Sequence, residues 1–219
     1  LVTGKDKAGD FYRKNFASMF QYCSNRIPEI TDAFYKIDDA MKAGFGWENG
    51  PFEIWDAIGI EKGIELMKAE GYQPSSWVTD MLASGNTSFY SIKDGATHFY
   101  SITNKKVEKI PGQDAFIILN NIRESKKIWN NSDSIITDLG DGIINLEFTS
   151  KMNSIGAGVL QGINKAIDMA EKGYEGLVIG NQGTNFSVGA NLAMIFMLAV
   201  EQEYDELNMA IKMFQDTMM

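Results

Sequence analysis

The stretch GNQGTNFSVGANL, Gly180–Leu192, follows a short apolar run and leads into a helical pattern. A glycine loop between strand and helix can present backbone N–H groups to an anion. The spacing tests that idea. Glycines fall at 180, 183 and 189 with no lysine after Gly189, so neither the G-x-G-x-x-G nor the G-x-x-x-x-G-K-[ST] pattern is present. Two readings remain: a loop that only covers the core, or one in which Gly189 lets the backbone approach a substrate closely. In the second, the N–H of Ala190, at a helix start, polarises a carbonyl.

Other reactive residue types are few. His98, the one histidine, sits between Thr97 and Phe99 in a hairpin pattern with no Asp beside it to orient the ring, so a structural role is expected. Glu201, Glu203, Asp205 and Glu206 read as the solvated start of a helix, where acids favour the positive end. Asp38, Asp39 and Asp56 read as caps and packing anchors, Cys23 as a buried inert thiol, and the twelve methionines, Met209 and Met218 among them, as core. One cysteine and one histidine exclude an intramolecular disulfide and argue against a zinc site; no metal is expected. The single cysteine points to a reducing compartment, and a cytoplasmic location is expected.

The elements that must position these residues follow from composition and periodicity. At 219 residues the chain suits two modest domains, and its 44% hydrophobic content marks a globular protein. No apolar run approaches the roughly 20 residues of a membrane span. A net charge of −9 argues against duplex nucleic acid as partner. The chain opens on Leu1 rather than Met and stops inside the helical pattern IKMFQDTMM, so it is expected to be a piece of something longer.

Residues 10–85 read as helices. Phe16, Met19, Phe20, Cys23 and Ile27 form one apolar stripe, and Phe34, Ile37 and Met41 another that ends at Gly44. Pro51 suits a first turn, and Ser75 caps a helix stopping at Gly85. SFYSIKDGATHFYSIT predicts a hairpin about Asp94-Gly95. The polar stretch 104–133 is expected to hold the domain boundary, and AFIILNNI fits strand or helix. Beyond it, SIITDLGDGIINLEF predicts paired strands about 140–142 with Ile144, Leu146 and Phe148 on one face. A helix follows with Val159, Leu160, Ile163, Ile167 and Ala170 buried and Gly173 after its end, then the buried strand GLVIG. The expected fold class is α+β multidomain: an all-α domain at 1–87, hairpin and linker at 88–133, and an α/β domain at 134–219.

Two stretches resemble known families. GLVIGNQGTNFSVGANL is similar to the first oxyanion segment of the crotonase (enoyl-CoA hydratase/isomerase) superfamily, F-x-x-G-[AS]-[DN]-[LI], and SKMNSIG, Ser150–Gly156, to its coenzyme A-contacting segment. The resemblance implies a partial crotonase-like ββα spiral over 134–219, with Gly189 and the Ala190 N–H in an oxyanion hole. It also implies that Lys151 and the backbone near Met152 lie along the coenzyme A path. Asn191 departs from the commoner Asp, which leaves the backbone donor in place. IDDAMKAGFGWENGPFEIWDAIG, Ile37–Gly59, is similar to the C-terminal helical domain of 3-hydroxyacyl-CoA dehydrogenases.

Together the resemblances imply the middle of a fused fatty acid β-oxidation enzyme, dehydrogenase and enoyl-CoA hydratase or isomerase. It would use NAD bound outside this chain and an acyl-CoA thioester as substrate, with a homodimer or a thiolase as partner. The fragment alone is expected to be inactive. A non-catalytic dimerisation or docking module is the competing expectation. The failed glycine spacing weighs against an ordinary nucleotide-binding domain.

Overall fold

The computed structural model describes residues 1–219, which divide into two compact units, Leu1–Phe116 and Ile117–Met219. The chain is mixed α and β, with two separate sheets. No helix is long and apolar enough to cross a membrane.

The first unit packs five helices and one sheet about an aromatic core. The helices are α1 (Lys7–Asn25), α2 (Tyr35–Phe45), α3 (Pro51–Ile58), α4 (Ile60–Ala69) and α5 (Ser76–Ala83). α1 and α2 follow the predicted stripes, α3 starts at Pro51 and α5 after Ser75 as expected, and α4 has no predicted stripe of its own. The α2 helix runs past the expected Gly44 and stops at Gly46, whose φ of 66° supplies the left-handed cap. Phe20 stacks on the fully buried Trp55 with ring centroids 4.7 Å apart, and Trp55 Nε1 donates to the Ile60 carbonyl at 3.1 Å. Gly63 gives the indole its room, because a Cβ there would lie 2.0 Å from Trp55 Nε1.

Asp38 and Asp56 hold the unit together through backbone donors. Asp38 is 1% exposed. Its Oδ1 accepts the Phe52 N–H at 2.9 Å, and its Oδ2 accepts the Glu53 N–H at 3.1 Å and the Tyr90 hydroxyl at 2.7 Å. Those amides belong to the first turn of α3, where no intrahelical acceptor exists. Gly50 permits the approach, since its Cβ would meet the Asp38 Cα at 2.3 Å. Asp56 accepts the Phe89 and Tyr90 N–H groups at 2.8 and 2.9 Å and the Ser88 hydroxyl at 2.8 Å. Both aspartates are therefore the packing anchors their positions suggested. Burial raises the pKa of each above the ordinary carboxylate value, Asp38 to about 6, against the opposing pull of the donated hydrogen bonds.

The hairpin is part of this unit, which corrects the expectation of a linker from 88 to 133. Strands β1 (Tyr90–Lys93) and β2 (Ala96–Ser101) pair about Asp94-Gly95, both at positive φ as a two-residue turn requires. Phe89, Phe99 and Tyr100 are buried among the helical core residues. A third strand, β3 (Lys106–Lys109), joins β2 within the lysine-rich stretch that reads as loop. Its Lys side chains face solvent, so no apolar alternation betrays it.

The second unit begins with α6 (Leu119–Lys126) and β4 (Lys127–Asn130), also inside the expected linker. Glu147, 4% exposed, ties α6 to the sheet by accepting Arg123 Nη2 at 2.8 Å and Nε at 3.1 Å. Strands β5 (Ser134–Gly140) and β6 (Ile143–Phe148) form the predicted pair, with Ile144, Leu146 and Phe148 buried. The helix α7 (Ala157–Gly173) crosses over to β7 (Gly176–Ile179), parallel to β6, giving the order β4-β5-β6-β7.

Four expectations are corrected here. Ala166 rather than Ile167 completes the buried stripe of α7, since Ile167 is 39% exposed. Gly173 is the last helical residue, not the one after it. β7 is half exposed because it lies at the sheet edge, with Val178 and Ile179 open to solvent. The chain ends in α8 (Leu192–Val200) and α9 (Tyr204–Met218), neither with a fully buried residue. Met209 and Met218 on α9 are exposed, which overturns their assignment to the core.

Candidate functional site

The loop from β7 to α8 and the turn after β6 meet in the second unit. Two backbone bonds join them: the Ile155 N–H donates to the Gly189 carbonyl at 2.8 Å, and the Asn191 N–H to the Ile155 carbonyl at 3.2 Å. This is a parallel bridge between Ile155 and Ala190. A peptide unit is planar and trans, so its N–H points opposite to its C=O. With the Gly189 carbonyl held by Ile155, the Ala190 N–H is directed away from the bridge and is not consumed by it. Gly189 adopts φ of 86°, and a Cβ there would meet nothing, so the backbone on that side is open.

Side chains fix the rest of the loop. Asn181 accepts the Phe148 N–H at 2.7 Å and donates to the Phe186 carbonyl at 2.7 Å. Asn153 donates to the Asn185 carbonyl at 2.9 Å. The Ser187 hydroxyl donates to the Asn153 carbonyl at 2.7 Å and accepts the Gly189 N–H at 3.0 Å. Asn191 caps α8, its side chain accepting from the Met194 N–H at 3.4 Å. Ala190 stands immediately before that cap, next to the positive end of α8.

Beside Ala190 lies a cavity of about 280 Å³ between the start of α7 and the helices α8 and α9. Ile155, Leu160, Met194, Ile195, Ile211 and Phe214 make its wall apolar, and no charged side chain lines it. Gly189, Ala190 and the turn carrying Lys151 and Met152 are thus brought together. Lys151 is exposed, and Met152 is 59% exposed at φ of 56° in a short helical turn spanning Lys151–Asn153. Sequence reasoning missed Ile155, Asn153 and Ser187. A serine two residues before a glycine, able to bond that residue's N–H, was the available signal for the last.

The remaining candidates are structural. His98 lies on β2, its Nδ1 3.1 Å from the Ala96 carbonyl, with no carboxylate on the ring. Glu203 precedes α9, and Asp205 and Glu206 lie in its first turn, as a solvated helix start requires, whereas Glu201 caps the C-terminus of α8 and does not belong to that start. Cys23 is half-buried, and burial pushes its thiol up to about 11. No three His, Cys, Asp or Glu side chains gather as a metal cluster.

The chain is similar in sequence to known proteins. Residues 16–94 match the 3-hydroxyacyl-CoA dehydrogenase C-terminal domain. The match runs from α1 to the β1–β2 turn, so it takes in Asp38, Gly50, Asp56 and the strand that both aspartates hold. Over its whole length the chain is 41% identical to a protein of Bacillus subtilis (strain 168) named "Probable 3-hydroxyacyl-CoA dehydrogenase", of which it covers 28%. It is 26% identical, again over the whole chain, to 27% of a protein of Rickettsia prowazekii (strain Madrid E) named "Putative fatty acid oxidation complex trifunctional enzyme". A Rickettsia felis protein of the same name is 25% identical over 27% of its length. The chain therefore spans little more than a quarter of these relatives. No solved structure matches it.

Proposed function

We propose that this chain is part of a multifunctional fatty acid β-oxidation enzyme combining NAD-dependent 3-hydroxyacyl-CoA dehydrogenase with enoyl-CoA hydratase or isomerase activity. In this reading the first unit carries the dehydrogenase's C-terminal helical module. The second forms the first part of a crotonase-like domain, beginning at Ile117 rather than at residue 134. The single observation that carries the second assignment is the unconsumed Ala190 N–H at the rim of an apolar cavity. Its support for the first is the match over residues 16–94.

The residues of this chain do not fit NAD. The one glycine-rich loop after a strand lacks dinucleotide spacing and borders an apolar cavity, so the cofactor is assigned to residues outside the chain. What this chain supplies to the hydratase is one donor. As water adds to the enoyl thioester, negative charge grows on the carbonyl oxygen, and the Ala190 N–H takes part of it, assisted by the α8 dipole. Gly189 keeps the approach clear. Lys151 offers charge to a coenzyme A phosphate, and the backbone near Met152 lines the path. A second donor and the acid/base carboxylates are assigned outside the chain, and a homodimer or a thiolase is the partner this reading implies. The cytoplasm is the location this reading implies.

The test is crotonyl-CoA hydration. The 219-residue chain should be inactive, because proton transfer needs a positioned acid or base. A protein of the relatives' full length should be active, and Ala190→Pro in it, which deletes the donor, should lose at least about 100-fold. Full activity in a folded Ala190→Pro protein would refute the assignment. The competing docking-module reading makes the helical first unit a dimer or docking surface and the glycine loop a cover over the core, and Leu192 and Phe196 of α8, 74% and 68% exposed, would add to such a surface. It predicts no coenzyme A binding at millimolar concentration in either length of protein.

A further inference from the structure

Ser187 makes two hydrogen bonds through one hydroxyl, and they run to different parts of the site. As donor it holds the Asn153 carbonyl, in the left-handed turn that contains Lys151 and Met152, where Met152 and Asn153 have φ of 56° and 55°. As acceptor it holds the Gly189 N–H. Gly189 lies between two peptide units. The one before it is fixed by Ser187, and the one after it, which carries the Ala190 N–H, is fixed by Ile155 at the Gly189 carbonyl. A glycine at φ of 86° has no Cβ to limit its rotation, so these two bonds, with the Asn191 N–H on the Ile155 carbonyl, restrict the direction of the Ala190 donor.

Resting on the oxyanion reading above, we propose that Ser187 is a positioning residue that aims the Ala190 N–H and couples it to the Lys151–Asn153 turn. The hydroxyl does not touch the thioester. It sets the donor before the substrate arrives, so no reorganisation is needed as charge develops. Through Asn153 the same bond links that donor to the turn proposed for coenzyme A. Asn153 reinforces the link by its own side-chain bond to the Asn185 carbonyl. Neither Ser187 nor Asn153 is ionisable, so the coupling is purely geometric and should be independent of pH.

The experiment compares Ser187→Ala, Ser187→Cys and Ser187→Thr in the full-length enzyme, reading kcat and KM for crotonyl-CoA separately, with Ala190→Pro alongside. Loss of a bond that acts in the transition state lowers kcat and leaves KM. Ser187→Ala is expected to lower kcat about tenfold, the factor corresponding to one net hydrogen bond, with KM within twofold. Ser187→Cys, close to serine in size but a weak hydrogen-bonder, should fall nearly as far. Ser187→Thr, which keeps the hydroxyl, should recover most of the rate. The kcat ratios should stay constant from pH 6 to pH 9. An unchanged kcat in Ser187→Cys, a rise in KM alone, or failure of threonine to rescue would overturn the positioning role. Those outcomes leave the oxyanion reading intact so long as Ala190→Pro is inactive. An active Ala190→Pro enzyme would instead remove the reading on which the proposal rests.

Discussion

Replacing Asp38 by Asn is expected to cost more stability at pH 4.5 than at pH 7. In the native unit the carboxyl accepts three hydrogen bonds, yet burial dominates and raises its pKa from 3.8 to about 6. The folded state thus binds the proton more tightly than the unfolded chain does. Stability from this group is fully present below the unfolded pKa and is lost as pH rises through the folded one. The total is about 3 kcal/mol at 1.36 kcal/mol per pKa unit, of which about 2 kcal/mol falls between pH 4.5 and pH 7.

Asparagine cannot ionise, so its variant lacks that slope. It replaces Oδ1 or Oδ2 by an NH2 group, which leaves the Phe52 or the Glu53 N–H facing a donor and costs about 1–3 kcal/mol. The acceptor loss applies at either pH, and the parent's linkage stability adds to it only at low pH. Asp38→Asn should therefore be destabilised by about 1–3 kcal/mol at pH 7 and by about 2 kcal/mol more at pH 4.5. Urea unfolding in a Trp129→Phe background reads the first unit, where the other three tryptophans lie. A destabilisation that is flat or grows with pH would refute the reasoning. It would mean that two amides at a helix N-terminus and the Tyr90 hydroxyl outweigh burial and hold the carboxyl ionised.

Gly63→Ala places a methyl 2.0 Å from Trp55 Nε1, on a ring whose N–H is already committed to the Ile60 carbonyl. The gain of about 1 kcal/mol in helix propensity is outweighed by overpacking and the strained indole bond. A net loss of about 1–3 kcal/mol in urea unfolding is expected, and a more stable variant would show that Trp55 can shift freely. Cys23, with its thiol pushed up to about 11, should react with iodoacetamide at pH 8 about 100-fold more slowly in the folded chain than in urea. Intact-mass kinetics measure this directly because it is the single cysteine. Equal rates would mean that the thiol is neither buried nor raised.

The elements legible in the sequence were those with one dominant period and an orthodox end. In α1 and α2 the 3.6-residue stripe, at α3 Pro51 and after α5 Gly85 mark the elements, and β6 alternates over Ile144, Leu146 and Phe148. What escaped was structure stabilised by partners distant in sequence. β3 carries Lys106 and Lys109 to solvent and pairs with β2 without an apolar face of its own. α6 is held by Arg123 reaching Glu147, 24 residues away, and an arginine in a polar stretch does not announce a buried partner. The hairpin read as a linker because Asp56 and the Phe89 and Tyr90 amides it binds are 33 and 34 residues apart. A window-sized pattern cannot contain such pairs, although they decide where one unit ends and the next begins.

The site divides in the same way. Gly189 and Ala190 stand as the proposed donor on features that are all local in sequence: a glycine, a small residue and a helix start. Their orientation is not local. It depends on Ile155, 34 residues before Gly189, taking the carbonyl and leaving the opposite N–H unconsumed. Lys151 was visible as a charge, but the left-handed turn that carries it is secured by Ser187 and Asn153, whose amide and hydroxyl read as ordinary loop polarity. The residue types in such a loop announce which groups can do chemistry, whereas direction comes from the strand-like bridge between two distant turns. Substitutions at Ile155 that keep its backbone N–H should accordingly be milder for the donor than Ile155→Pro. Proline removes the bond that holds the Gly189 carbonyl, while the Ser187 bond and the Asn191 bond to residue 155 stay in place. If full-length Ile155→Pro stays folded, it should lose hydratase rate toward the level of Ala190→Pro while Ile155→Val keeps most of it. Equal rates in the two Ile155 variants would show that the bridge does not aim the donor.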